Sequence, residues 1–98
     1  MNINDALQLN DERPATYSVR NTDKTNLLAI SLKKGQVLKR HISPIPAFLV
    51  VLRGKVLFDM EGAGTEIPVY GTIEIPVNVP HEVTGLEESV IIVFKEKN

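Results

Sequence analysis

The chain has 98 residues and a mass of 10.9 kDa, the size of one compact domain, which argues against a two-lobed enzyme with an interdomain cleft. Its 11 basic and 12 acidic side chains give a formal net charge of -1, so we expect no polybasic membrane anchor and no nucleic-acid partner. The chain contains no cysteine, which excludes disulfides, a thiol nucleophile and Cys-ligated metal centres.

The N-terminal residues and the apolar runs give an expected location. No apolar run approaches the roughly 20 residues that a bilayer crossing needs. Residues 1–5 lack the positively charged and apolar regions of a secretory signal. Because small domains without disulfides are most often intracellular, we expect a cytoplasmic protein with no membrane partner.

The residue composition favours strands. The chain has 26 β-branched residues, namely 11 Val, 9 Ile and 6 Thr, and such side chains pack well on a pleated surface. Six Gly and six Pro separate short apolar runs, which is typical of many short strands joined by turns. We therefore predict a single all-β domain, either a sandwich or a barrel.

Hydrophobic alternation and turn residues predict the elements in chain order. Residues 4–9 are predicted to form a short helical turn, which Pro14 ends soon after. Residues 61–64 are predicted to form the turn of a hairpin. Extended segments are predicted at residues 16–20, 26–33, 36–43, 47–52, 55–60, 65–69, 71–76, 81–84 and 89–95.

The segment over residues 47–52 is apolar on both of its faces. A barrel strand has one inner and one outer face, yet the alternate residues Phe48, Val50 and Leu52 are all large and apolar. Residues 90–94 repeat this pattern. Because a chain of this size cannot cover so much apolar surface alone, we predict a homodimer.

A set of spaced residues in the first half of the chain resembles a family motif. Gly35, His41, Ser43, Ala47 and Gly54 match at every position the spacing of the first cupin motif, G-x5-H-x-H-x3,4-E-x6-G. Cupins are small β-barrels of jelly-roll type. The second histidine of the motif is serine in this chain, and the glutamate is alanine.

A second set resembles the other cupin motif, G-x5-P-x-G-x2-H-x3-N. Pro76 and His81 keep the spacing, and Asn78 replaces the glycine, as the next best residue for positive φ. Gly71 begins this motif one residue too close to the proline, and Gly85 ends it in place of asparagine.

The resemblance implies one cupin domain over the whole chain. This RmlC-like jelly roll, also called a double-stranded β-helix, would span residues 1–98. It would comprise an N-terminal arm over residues 1–15 and the two motifs at residues 35–54 and 71–85. No internal repeat or low-complexity segment interrupts it.

The resemblance also implies where a metal would bind. Metal-binding cupins use three histidines and a glutamate, a set suited to divalent iron, manganese, zinc, nickel or copper. By position, only His41 and His81 remain of these four ligands. Two ligands seldom hold a transition metal tightly, so we expect a degenerate metal site and no tightly bound cofactor.

Strand alternation predicts the lining of the barrel cavity. Residues of one parity share the interior with His41, which also places Lys39 at the mouth. Glu74 and Glu82 are candidates for the missing carboxylate, but we expect both on the solvated outer face. The predicted lining residues are His41, Ser43, Ala47, Leu49, Val51 and His81.

Three functions fit these residues. The first is binding of a small-molecule ligand in the cavity without a tightly held metal. The second is a metal-dependent oxygenase or isomerase that uses His41 and His81. The third is a non-catalytic interaction module, for which the barrel is only a scaffold. The sequence leaves open whether the protein is an enzyme.

Overall fold

The computed structural model describes residues 1–97 and confirms the all-β jelly roll with a short N-terminal helical turn. Within these residues, no helix has the length and apolarity that a bilayer crossing requires. The elements are α1 (Ile3–Ala6), β1 (Ala15–Asn21), β2 (Thr25–Leu32), β3 (Val37–His41), β4 (Ala47–Arg53), β5 (Lys55–Met60), β6 (Ala63–Pro68), β7 (Thr72–Ile75), β8 (His81–Gly85) and β9 (Ser89–Glu96).

The strands form two sheets that enclose the core. The larger sheet has the order β1-β2-β9-β4-β7 and the smaller one the order β3-β8-β5-β6. All neighbouring strands are antiparallel. Alternate residues of each strand face inward, which fills the space between the sheets with branched and aromatic side chains. The largest fully buried apolar side chains are those of Leu32, Leu49, Val51, Val56, Phe58, Val83 and Ile91.

The hairpin between β5 and β6 turns more tightly than the sequence predicts. Met60 pairs with Ala63, so only Glu61 and Gly62 form the turn. Both have positive φ, at 54° and 79°, as in the type I′ turns whose twist matches that of paired strands. As a result, β6 begins at Ala63, and the expected four-residue turn over residues 61–64 is wrong.

The outer face of the larger sheet is apolar along β4 and β9. Phe48 on β4 lies opposite Phe94 on β9, and Val50 lies opposite Ile92. Part of this face is covered by the chain itself, because residues of the N-terminal arm border a shallow pocket together with Val90. Phe48, Val50 and Phe94 remain only half-buried.

Candidate functional site

A pocket of about 170 Å³ opens between the two sheets at one end of the barrel. This end is where β3 and β7 finish and β4 and β8 begin. Apolar walls with a few polar groups are typical of small-molecule sites. The apolar lining consists of Leu28, Ile30, Leu38, Ala47, Ile75, Val83 and Val93. The polar lining consists of Thr16, His41, Ser43, His81 and Lys95.

The exposure of the lining residues separates the mouth of the pocket from its floor. Thr16 and His41 are exposed and Lys95 is half-buried, so these three mark the mouth. Ser43 and His81 are buried, as are most of the apolar residues of the lining. A molecule entering the pocket therefore passes polar groups first and then meets a mainly apolar interior.

The two histidines form a fixed pair. His41 on β3 and His81 on β8 are register partners, and their ring centroids lie 4.3 Å apart. Nδ1 of His41 lies 2.8 Å from the Lys39 carbonyl oxygen, and Nδ1 of His81 lies 3.0 Å from that of Val79. Because a carbonyl only accepts, each Nδ1 carries the hydrogen and donates it, and Nε2 of a neutral ring is left as an acceptor.

A β-bulge in β3 places His41 in the pocket. Leu38 pairs with Val83 and His41 with His81, so β3 has one more residue than β8 between these two pairs. The extra residue shifts the alternation, and Leu38 and His41 both line the pocket although they are three apart. The prediction that Lys39 shares the interior with His41 is therefore wrong, since Lys39 is exposed and outside the pocket.

His81 is held in its neutral form by its surroundings. The residue is only 3% exposed, and this burial lowers its pKa below the ordinary 6.5. The hydrogen bond to the Val79 carbonyl opposes the shift, whereas the positive charges of His41, Lys95 and Arg40 add to it. Nε2 of His81 therefore accepts a hydrogen bond at neutral pH.

The two replaced motif positions supply no metal ligand in place of the family's histidine and glutamate. Ser43 is buried, and its hydroxyl donates to the Ile45 carbonyl at 2.8 Å. Its own carbonyl accepts from the Asn78 N–H at 2.8 Å, and Asn78 has the positive φ of 61° expected at the glycine position. Ala47 contributes only a methyl group.

The residues around the pocket do not fit the metal centre that the resemblance implies. Within residues 1–97, no three His, Cys, Asp or Glu side chains cluster as a metal site requires. Glu74 is exposed opposite Phe48 on the outer face, and Glu82 lies 3.9 Å from Arg40. Neither glutamate lines the pocket, and the cation that does, Lys95, would repel a metal ion.

Two predicted lining residues lie elsewhere. Leu49 and Val51 face the interior, but they are 1% and 0% exposed and pack in the core rather than in the pocket. They stand two and four residues beyond Ala47 on β4, toward the filled middle of the barrel. The prediction that they line the cavity is therefore wrong.

The sequence reasoning missed Lys95 as a lining residue. The period-two series Ile91, Val93 and Lys95 places it on the inner face of β9. Because β9 is apolar on both faces, this alternation does not stand out in the sequence.

Solved cupin structures resemble the chain over nearly its whole length. A cupin superfamily protein from Desulfitobacterium hafniense aligns with a TM-score of 0.88 at 8% identity, covering 96% of this chain and 86% of that chain. The RmlC-like cupin from Desulfovibrio desulfuricans gives 0.86 at 22% identity, with coverages of 92% and 88%. KdgF from Halomonas gives 0.88 at 17% identity, with coverages of 100% and 93%.

These similarities establish the fold. No protein-family model matches the sequence, and no curated protein matches it. At identities this low, the structural similarity shows that the chain has the RmlC-like cupin fold. It does not show a particular activity, because one fold supports many functions.

Proposed function

We propose that this chain, which has the fold of the RmlC-like cupins, binds a small organic molecule in its barrel pocket without a tightly held metal. The observation that carries the proposal is the open pocket of about 170 Å³ between the two sheets. An apolar cavity of about 150 Å³ binds a molecule the size of benzene. The pocket therefore has room for a compact ligand.

The polar groups of the pocket support binding at a defined orientation. The apolar walls supply the hydrophobic contribution, and Nε2 of His81 supplies an acceptor in a fixed direction. A cavity filled by side chains would favour an interaction module, whereas this pocket is open. A metal-dependent oxygenase or isomerase needs ligands that Ser43 and Ala47 do not supply.

We also propose a cytoplasmic location, because the chain has no cysteine and small domains without disulfides are most often intracellular.

Metal analysis tests this proposal against the metal-dependent alternative. The protein is expressed with added iron, manganese, zinc, nickel and copper and purified without chelators. We expect far less than one metal ion per chain by mass spectrometry, because two imidazoles hold a transition metal weakly. One equivalent of any of these metals in the wild type, lost in His81→Ala, would contradict the proposal.

We further propose that the protein is a homodimer that buries the outer face of the larger sheet. Phe48, Val50 and Phe94 are half-buried neighbours on this face, and Ile92, opposite Val50, is already buried. Covering this face with a second copy contributes about 25 cal/mol per Å² of apolar area. A two-fold interface would apply the same surface on both subunits.

Light scattering at micromolar concentration tests the dimer with a matched pair of variants. We expect the dimer mass for the wild type and the monomer mass for Phe48→Lys, which places a charge on the proposed interface. Leu57→Lys should remain dimeric, because Leu57 is on the smaller sheet. The lysine at position 48 would lie opposite Glu74, and the lysine at position 57 would lie opposite Glu66. Both variants therefore add one positive charge beside one glutamate. A monomeric wild type would contradict the proposal.

A further inference from the structure

The pocket contains a positive charge and no negative one. Lys95 is half-buried and lines the pocket, and none of the lining residues is acidic. Within residues 1–97, no Asp or Glu forms an ion pair with Lys95. Arg40, by contrast, lies 3.0 Å from a carboxylate oxygen of Asp59. The ammonium group of Lys95 is thus available to a bound molecule.

We infer that the pocket takes a small carboxylate with an apolar body, held by Lys95 at the mouth. The inference rests on the proposed function and specifies its ligand class. The ammonium group would donate a charge-assisted hydrogen bond to the carboxylate. Because no carboxylate within residues 1–97 pairs with Lys95, an anionic ligand would meet no competing negative charge there.

The distribution of polar and apolar residues sets the orientation of this ligand. Lys95 lies with Thr16 at the mouth, and the Thr16 hydroxyl offers a second donor there. Ile30, Val83 and Val93 lie deeper and are buried. The carboxylate therefore stays near the solvent while the apolar body fills the interior.

The apolar interior distinguishes a carboxylate from inorganic anions. Phosphate has no apolar part to place against Val83 and Val93, so the pocket would offer it only the polar contacts at the mouth. A branched short-chain acid such as 3-methylbutanoate has both a carboxylate for the mouth and an apolar body for the interior. Its size is close to that of the benzene molecule that a cavity of about 150 Å³ accepts.

Titrations followed by ¹H–¹⁵N NMR spectra test the inference. The probes are 3-methylbutanoate, the uncharged 3-methylbutanamide and inorganic phosphate, at neutral pH and constant ionic strength. For the wild type we expect the acid to bind about tenfold more tightly than the amide, which corresponds to about 1.4 kcal/mol for one partly exposed charged pair. Phosphate should bind much more weakly than the acid, because it makes no contact with the apolar interior.

Variants at two lysines separate the effect of the Lys95 charge in the pocket from the effect of the net charge of the protein. Lys95→Met should bind the acid and the amide about equally, and Lys95→Gln serves the same purpose if the methionine variant does not fold. Lys39→Met removes the same charge from an exposed residue outside the pocket, so it should keep the tenfold preference.

The outcomes distinguish this inference from the proposed function. Equal binding of acid and amide by the wild type would overturn the carboxylate inference and leave ligand binding in the pocket standing. A preference that survives in Lys95→Met would overturn it as well. If neither probe moved the resonances of pocket residues such as His81, both the inference and the proposed function would fail.

Discussion

Replacing Gly54 with alanine is expected to destabilise the protein by roughly 3 kcal/mol or more. Gly54 ends the first cupin motif and connects β4 to β5 with a φ of 77°. A Cβ atom there would lie 2.3 Å from the Glu88 carbonyl oxygen and 2.5 Å from Oγ of Ser89. Ser89 cannot move away easily, because its Oγ accepts from the Lys55 N–H at 3.1 Å. Backbone strain and steric overlap therefore add.

The matched control for this variant is Gly35→Ala. Gly35 has a similar φ of 87°, but a Cβ atom there would meet nothing within 4 Å. Only the conformational cost remains, about 1–2 kcal/mol. Urea unfolding of both variants measures the difference. Equal losses at the two positions would show that the close approach at Gly54 does not matter.

Replacing Phe58 with alanine is expected to cost about 3–5 kcal/mol, the usual range for truncating a buried aromatic side chain. Phe58 is 1% exposed in the middle of the core. Its ring also stacks on that of His81, with centroids 5.7 Å apart and an interplanar angle of 17°. The variant should thus lose stability and, by freeing the His81 ring, weaken the binding of 3-methylbutanoate.

A second variant at Phe58 tests whether the loss of buried volume causes the loss of stability. Phe58→Leu keeps most of the buried volume, so it should lose much less stability than Phe58→Ala. Both are measured by chemical unfolding, followed by ligand titration of the folded variants. A cost below about 1 kcal/mol for Phe58→Ala would contradict the role of Phe58 as a central core residue.

Much of the fold could be predicted from the sequence because its signals are local. β-branched residues, alternation and the spacing from Gly35 to Gly54 and from Pro76 to His81 each depend on residues close in the chain. The strand boundaries shifted where a turn was tighter than expected, as between β5 and β6.

The candidate site could be predicted only in part. The structure places His41, Ser43, Ala47 and His81 around one pocket, as the motif spacing suggests. The bulge in β3 depends on its pairing with β8, which no local pattern reports, and it removes Lys39 from the interior. How far each inward residue of β4 lies from the pocket also depends on the neighbouring strands.

A long-range ¹H–¹⁵N spectrum of the imidazole rings tests most directly whether the pocket lined by the two histidines binds a small molecule. The chain has only two histidines, so the spectrum should contain two ring systems. Above neutral pH we expect both rings to carry the hydrogen on Nδ1, as their bonds to the Lys39 and Val79 carbonyls require. Addition of 3-methylbutanoate or 3-methylbutanamide should shift Nε2 of both rings. Rings with the hydrogen on Nε2, unmoved by either probe, would contradict the proposed site.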